Sequence, residues 1–405
     1  QYVLSKKDQW SGMHDRGTGG MMEGDMAAGN IPVSNFRDGE FSDISKITAQ
    51  AVRDTIMVKM EGCFACPLRC KKVVKVDEPY SVDPAYGGPE YETLAAIGCN
   101  CGVGDLKAIA KGNELCNAYS LDTISTGDVI AFAMECFENG LLSTKDTGGI
   151  ELKFGNAEAM LKLTQMIGER KGIGDLLAEG SFRAAQKIGK NAEKYAMHVK
   201  GQELPLHDPR GKVSLALAYA TSPTGADHLE AEHDFDFVEG SPSLPNALCL
   251  GISEPLSNFD LGEKKVRLYT YLQHLWSSYN ALGLCNFVAG PGGALPIPKI
   301  VQSLNAVTGW DVSLWELMKA GERATTIARI FNIKEGFSRK EDILPARFYQ
   351  EALNEGELKC GKLDYEEFEK ALTTYYHMMG WNNKGIPTKE KIYELDIGWT
   401  KKYLK

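Results

Sequence analysis

The sequence has 405 residues, 43% hydrophobic and 24% charged, with a net charge of −9 and a pI of about 5.5. That is enough chain for two or three domains with a sizeable core, and its acidic balance gives no electrostatic case for nucleic acid. The longest largely apolar stretch, Val213 to Ala220, falls far short of a membrane span. Gln1 opens the chain with no initiator Met, basic n-region or apolar h-region. No secretory signal is therefore read, and the sequence reads as a piece of a longer protein. Of ten cysteines, three crowd into eight residues and the rest are scattered. This pattern points to metal chemistry plus ordinary buried thiols, in a reducing cytoplasm.

In chain order, residues 1–40 are rich in Gly, Met and Asp and read as a loop-rich lead-in. Ser42 caps a predicted helix from Asp43 to Met60. The cysteine cluster follows on a loop, then a short strand from Lys71 to Val76. Pro79 to Pro89 is a second loop. From Glu90 the spacing is helical and resumes at Leu106, Ile109 and Ala110. Ser125 or Thr126 is the expected N-cap of a helix through Glu138. Further helices are read at 157–167, 173–177 and 181–188. A Pro-, His- and Gly-bearing connection, 199–211, marks a domain boundary near 198. Helices at 213–220, 264–282, 298–307, 312–332 and 365–379 follow. The fold class is mainly α, with domains at 41–198 and 199–405.

The run Cys63-Phe64-Ala65-Cys66-Pro67-Leu68-Arg69-Cys70 has C-x2-C-x3-C spacing. Thiolates so close can converge on one metal centre, and a four-iron cluster takes a fourth ligand from elsewhere. Zinc is the rival reading. A zinc site usually adds a second C-x2-C or a His pair, and none follows. Arg69, Lys71 and Lys72 beside the run either offset thiolate charge or form a solvated face.

The same run, followed by Gly88-Pro89-Glu90-Tyr91-Glu92-Thr93, by Leu121 to Ser125 with Gly127, and by Leu282-Gly283-Leu284-Cys285, resembles the tungsten-dependent aldehyde ferredoxin oxidoreductase family. The motifs occur in the family's order over nearly the whole chain. The resemblance implies the family's two packed helical domains, without its N-terminal pterin-binding sheet domain. It also implies a [4Fe-4S] cluster on Cys63, Cys66, Cys70 and Cys285, and a tungsten (or molybdenum) bis-pterin. The family's paired pterin-contact pattern matches Asn117 to Asp122 and Asn280 to Cys285, a short internal echo. Asn117, Leu121, Asp122, Asn280, Gly283 and Leu284 are thereby expected at the cofactor. Asn stands where the pattern has Asp in both copies, and Ser120 replaces a Gly. The family's Glu-x-x-His dimer-iron motif has no match after Glu114, so no such iron is expected.

Glu90 matches a family Glu near the metal, an acid–base candidate whose pKa a dry pocket would raise; Glu92 is its neighbour. The run Gly225-Ala226-Asp227-His228, with His233 five residues on, matches a family element whose His is a proton donor. A surface ion-pair cluster is the bland reading of both histidines. Arg210, in Asp208-Pro209-Arg210-Gly211, offers a planar fork for a cofactor phosphate or a carboxylate, or makes an internal salt bridge. Cys99, where many aldehyde-oxidising relatives have Ser, is a candidate tungsten ligand. It resembles the branch containing the tungsten subunit of class II benzoyl-coenzyme A reductase. The resemblance thus implies oxidation of aldehydes to carboxylic acids, with ferredoxin or another electron-transfer subunit as partner. The alternatives are low-potential reduction of an aromatic acyl-coenzyme A, or an electron-transfer subunit that keeps only the cluster.

Overall fold

The computed structural model describes residues 2–356, 358 and 361–404. The chain is predominantly helical, with two two-stranded sheets among the described residues. It divides into two compact units, and the division is discontinuous. The first unit comprises residues 8–211 and 345–362; the second comprises 1–7, 212–344 and 363–405. The break falls after Gly211 rather than at 198, because the 199–211 connection is buried within the first unit. No helix among the described residues is long and apolar enough to cross a membrane.

The first unit is built around the helix Thr123–Glu138, whose residues from Thr126 to Cys136 are all buried. The helices Leu106–Tyr119 and Ala157–Glu169 pack with it. Gly127 is required by close approach: a Cβ there would lie 2.6 Å from the Ala96 carbonyl carbon. The distant segment 345–362 is tied in by a buried ion pair. Arg347 reaches Glu135 with Nη2–Oε1 at 2.6 Å, and its Nη1 donates to the Asn35 carbonyl. The lead-in is not all loop, since it holds the helices Lys7–Arg16 and Met22–Ala27.

The predicted helix over 43–60 is three elements. Helices Ile44–Ile47 and Ala49–Thr55 are separated by Thr48, whose extended backbone and side-chain bond to Ala51 N start the second helix afresh. Strand β1 (Met57–Glu61) then pairs antiparallel with β2 (Lys71–Val74). The partner strand lies beyond the cysteines, so tertiary pairing overrides the helical reading of Met57 to Met60. The N-cap after the first turn is Asp122, not Ser125 or Thr126. Its Oδ2 accepts from Ser125 N at 2.7 Å.

In the second unit, the helices Glu263–Leu282 and Leu314–Lys334 form the main pair. Gly321 lets them touch backbone to backbone: a Cβ there would lie 1.8 Å from the His274 carbonyl oxygen. Leu275, Trp276, Tyr279, Ile297, Ile300 and Leu317 form the adjoining core. Helices Ser214–Thr221, Ile297–Thr308 and Tyr365–Met378 complete the framework close to their expected bounds.

Candidate functional site

The first unit carries three of the expected cluster ligands on the β1–β2 hairpin. Cys63 is exposed, and Cys66 and Cys70 are half-buried. The loop is tightly folded. Ala65 and Arg69 adopt left-handed backbone (φ 55° and 51°), each directly before a cysteine. Cys66 N donates to the Cys63 carbonyl at 3.0 Å. Gly62 closes the loop base, where a Cβ would meet Arg69 Cα at 2.8 Å. Outside the loop, His14 Nδ1 lies 2.7 Å from the carbonyl of buried Leu68. Three sulfur donors thus lie within eight residues on one loop held at both ends. The fourth expected ligand, Cys285, is an exposed free thiol in the second unit.

The two echo motifs form one and the same turn. In the first unit, Ser120 N donates to Asn117 O (3.2 Å) and Leu121 N to Cys116 O (2.8 Å), with Ser120 at φ 57°. In the second, Gly283 N donates to Asn280 O (3.1 Å) and Leu284 N to Tyr279 O (2.9 Å), with Gly283 at φ 66°. Both are Schellman helix ends, which pair the last carbonyls with the two residues past the helix. Asn117 and Asn280 occupy equivalent places one turn before the end, and both are exposed. Asn117 Nδ2 donates to Asn113 O at 3.0 Å, which leaves its Oδ1 as an outward acceptor. Asp122 and Cys285 follow their turns at the same offset, both exposed.

Glu90 sits in no dry pocket. Its side chain is 39% exposed, accepts from Thr18 Oγ1, and pairs at 3.1 Å with the ammonium of buried Lys72. Glu92 is better enclosed. Its Oε2 accepts from Leu206 N at 2.8 Å, and Oε1 lies 3.3 Å from Nε2 of buried His207. The His207 ring stacks on Tyr91 with centroids 4.6 Å apart and planes at 9°. The Tyr91 hydroxyl donates to Leu206 O and lies 3.3 Å from His207 Nδ1. A carboxylate–imidazole pair locked by a stacked tyrosine is thus assembled from two sequence-distant runs. His207 was visible in the His207-Asp208-Pro209-Arg210 run but had no distinguishing signal of its own.

In the second unit, His228 and His233 lie together with ring centroids 5.9 Å apart, and His233 Nε2 is 3.2 Å from His228 O. Burial, and then the charge of Lys212, lower the His228 pKa to about 4 and hold His233 well below the ordinary value. Both rings are neutral at pH 7, so they are not the surface ion-pair cluster of the bland reading. Their irregular segment is anchored by Asn332 Nδ2 to Pro223 O (2.7 Å) and by Gln273 Nε2 to Glu230 Oε2 (3.2 Å).

One expected residue is fully engaged elsewhere. Arg210 is buried, and its fork closes on Asp208 at 2.9 and 2.6 Å. Nη2 also donates to Phe36 O, and Nη1 donates to Glu351 O. Every edge of the guanidinium is therefore occupied by protein. Cys99 is fully buried, and desolvation pushes its thiol far above the ordinary value.

The family description "Aldehyde ferredoxin oxidoreductase, domains 2 & 3" matches residues 1–397. The chain belongs to the aldehyde ferredoxin oxidoreductase family. Within the family it is 36% identical over 376 residues to a tungsten-containing aldehyde ferredoxin oxidoreductase of Pyrococcus horikoshii, covering 91% of this chain and 58% of that protein. It is 31% identical over 391 residues to an aliphatic sulfonate oxidoreductase, WOR-like subunit, of Pyrococcus furiosus, covering 92% and 56%. Among solved structures, the active site complex BamBC of benzoyl coenzyme A reductase with 1,5 dienoyl-CoA shares the fold. Its TM-score is 0.73 at 24% identity, over 92% of this chain and 58% of that one. The chain therefore spans a little over half the length of these family members, and its helical architecture is that of the family's domains 2 and 3.

Proposed function

We propose that this chain is the cluster-bearing and proton-handling part of a tungsten-pterin oxidoreductase. It oxidises aldehydes to carboxylic acids and delivers the electrons to ferredoxin. The observation that carries this reading is the cysteine hairpin, whose held loop, residues 62–70, offers three cysteines and contains no carboxylate or imidazole. The names of family members at 36% and 35% identity support the substrate class and acceptor.

The residues present fit both cofactors. Cys63, Cys66, Cys70 and Cys285 would hold the [4Fe-4S] cluster, and the exposed amides of Asn117 and Asn280 would meet the pterin amines. When bound, the tungsten-pterin supplies two-electron chemistry at low potential and the cluster carries electrons singly. The balance is aldehyde plus water giving acid, two electrons and two protons. Glu92, oriented by His207, is the proton acceptor we assign in place of Glu90, whose carboxylate is engaged by Lys72. Neutral His228 serves as a second acceptor site or as a hydrogen-bond donor through its ring N–H.

The adjacent neutral pair His228 and His233 favours a second reading, low-potential reduction of an aromatic acyl-coenzyme A, in which two imidazoles would attend successive protonations. Metal analysis and assays of the full-length protein test these readings. About four iron atoms and about one tungsten per chain, with viologen-linked aldehyde oxidation, are expected. Zinc without iron overturns the proposal, iron without tungsten indicates an electron-transfer subunit, and turnover of benzoyl-coenzyme A alone selects the second reading.

A further inference from the structure

The cysteine hairpin has an outward face that cluster binding alone does not require. Phe64, between Cys63 and Cys66, is fully exposed. Large aromatic side chains carry substantial apolar area, and leaving one in water forgoes about 25 cal/mol for each Å². The ring is not on a loose tip. The left-handed residues Ala65 and Arg69, the closure of Gly62 on Arg69, and the His14–Leu68 contact hold the loop that carries it.

The charge around Phe64 is opposite to that of the chain. Residues 57–75 contain Lys59, Arg69, Lys71, Lys72 and Lys75 against Glu61 alone, a net +4 in a chain of net −9. Lys72 is buried against Glu90, and Lys75 is paired with Asp77. Lys59, Arg69 and Lys71 are exposed, and Lys59 is paired with Glu61 at 2.5 Å. An exposed apolar anchor flanked along the chain by exposed cations suits a protein-docking centre. A basic patch on an acidic protein also orients an acidic partner, because the rest of the surface repels it.

We infer that this hairpin is the docking face for a small acidic electron-carrier protein, with Phe64 as anchor and Lys59, Arg69 and Lys71 as charged rim. The inference rests on the proposed function in one respect, that Cys63, Cys66 and Cys70 hold the redox cluster. Docking at the cysteine tip sets the carrier at the shortest exit for electrons. Each encounter reduces one oxidised carrier by one electron, so two encounters clear the pair released by one aldehyde.

The test uses the full-length holoprotein, the double variant Lys59→Glu/Lys71→Glu, and Phe64→Ala. An acidic ferredoxin is titrated calorimetrically at low and high salt, and aldehyde oxidation is followed with ferredoxin or with benzyl viologen as acceptor. Docking here predicts that the double variant raises Kd and KM for ferredoxin about tenfold at low salt, with the difference shrinking as salt is added. Phe64→Ala raises them by a smaller, salt-independent factor. Iron content and viologen turnover stay at wild-type values in both. Unchanged Kd in both variants, with iron and viologen turnover intact, overturns the docking face and leaves the proposed function standing. Equal losses with ferredoxin and viologen also overturn it, since the hairpin then acts on the cluster rather than on a partner. A wild-type holoprotein without iron sinks the proposed function and the docking face together.

Discussion

The turn at Cys116–Asp122 and the turn at Tyr279–Cys285 have the same backbone and different tasks. Each ends a long helix with the same two hydrogen bonds, sets an exposed Asn one turn back, and sends the chain on through a half-buried Leu. They differ at the left-handed residue, Ser120 against Gly283, and at the closing residue, Asp122 against Cys285. Asp122 turns inward to its own chain, capping the next helix. Cys285 starts no helix and presents its sulfur outward. The backbone thus repeats one turn, while single side chains decide whether its last residue caps a helix, as Asp122 does, or stays exposed, as Cys285 does.

The largest effect that would break this comparison lies at the closing residues. Cys285→Ala should lower iron in the full-length protein from about four atoms to under about one, as should Cys63→Ala. Asp122→Ala should leave iron unchanged. Equal iron in wild type and Cys285→Ala, measured colorimetrically after acid release, removes Cys285 from the ligand set.

A second contrast concerns the helices that lead into the turns. His274, on the helix Glu263–Leu282, is buried with Nε2 3.1 Å from Met379 Sδ, and desolvation lowers its pKa to about 4. The folded value lies below the unfolded value of about 6.5, so the neutral ring contributes fully above pH 6.5. That contribution is lost as pH falls through about 4, a change of roughly 3 kcal/mol. The helix Leu106–Tyr119 carries no histidine. Hydrogen exchange should therefore show amides before the second turn losing protection between about pH 6 and 4, ahead of those before the first. Simultaneous loss would disprove the assignment.

Smaller effects lie at the left-handed residues. Gly283→Ala should destabilise by about 1 kcal/mol, because a Cβ is strained at φ 66°. Ser120→Gly relieves the same strain but loosens the unfolded chain, for a net gain of at most about 1 kcal/mol. Opposite signs in chemical denaturation confirm the equivalence of the two turns, and like signs contradict it. Least of all, Asp122→Ala should cost about 1 kcal/mol or less through the lost cap, with Asp122→Asn restoring most of it.

Local signals in the sequence were legible. The C-x2-C-x3-C spacing depends only on neighbouring residues, and the second-unit helices Glu263–Leu282 and Leu314–Lys334 carry strong apolar spacing. The echo of Asn117 to Asp122 in Asn280 to Cys285 was visible as letters, and the shared geometry holds although the left-handed residue is Ser120 in one and Gly283 in the other. What was hidden depends on distant chain. Met57 to Met60 is a strand only because Lys71 to Val74 lies beside it. The choice between Glu90 and Glu92 turns on Lys72 and His207, which no spacing rule connects to them. The membership of 345–362 in the first unit rests on Arg347 meeting Glu135, 212 residues earlier in the chain.

That last ion pair has a consequence for synthesis. Glu135 leaves the ribosome long before Arg347, and its buried carboxylate lacks its hydrogen-bonded Arg347 partner until residues 212–344 have also been made. The first unit therefore cannot mature in the order in which it is translated. A nascent chain halted at 211 would hold an uncompensated buried charge, worth about 3–5 kcal/mol against folding. Completion of the cysteine-bearing unit thus waits on the rest of the polypeptide.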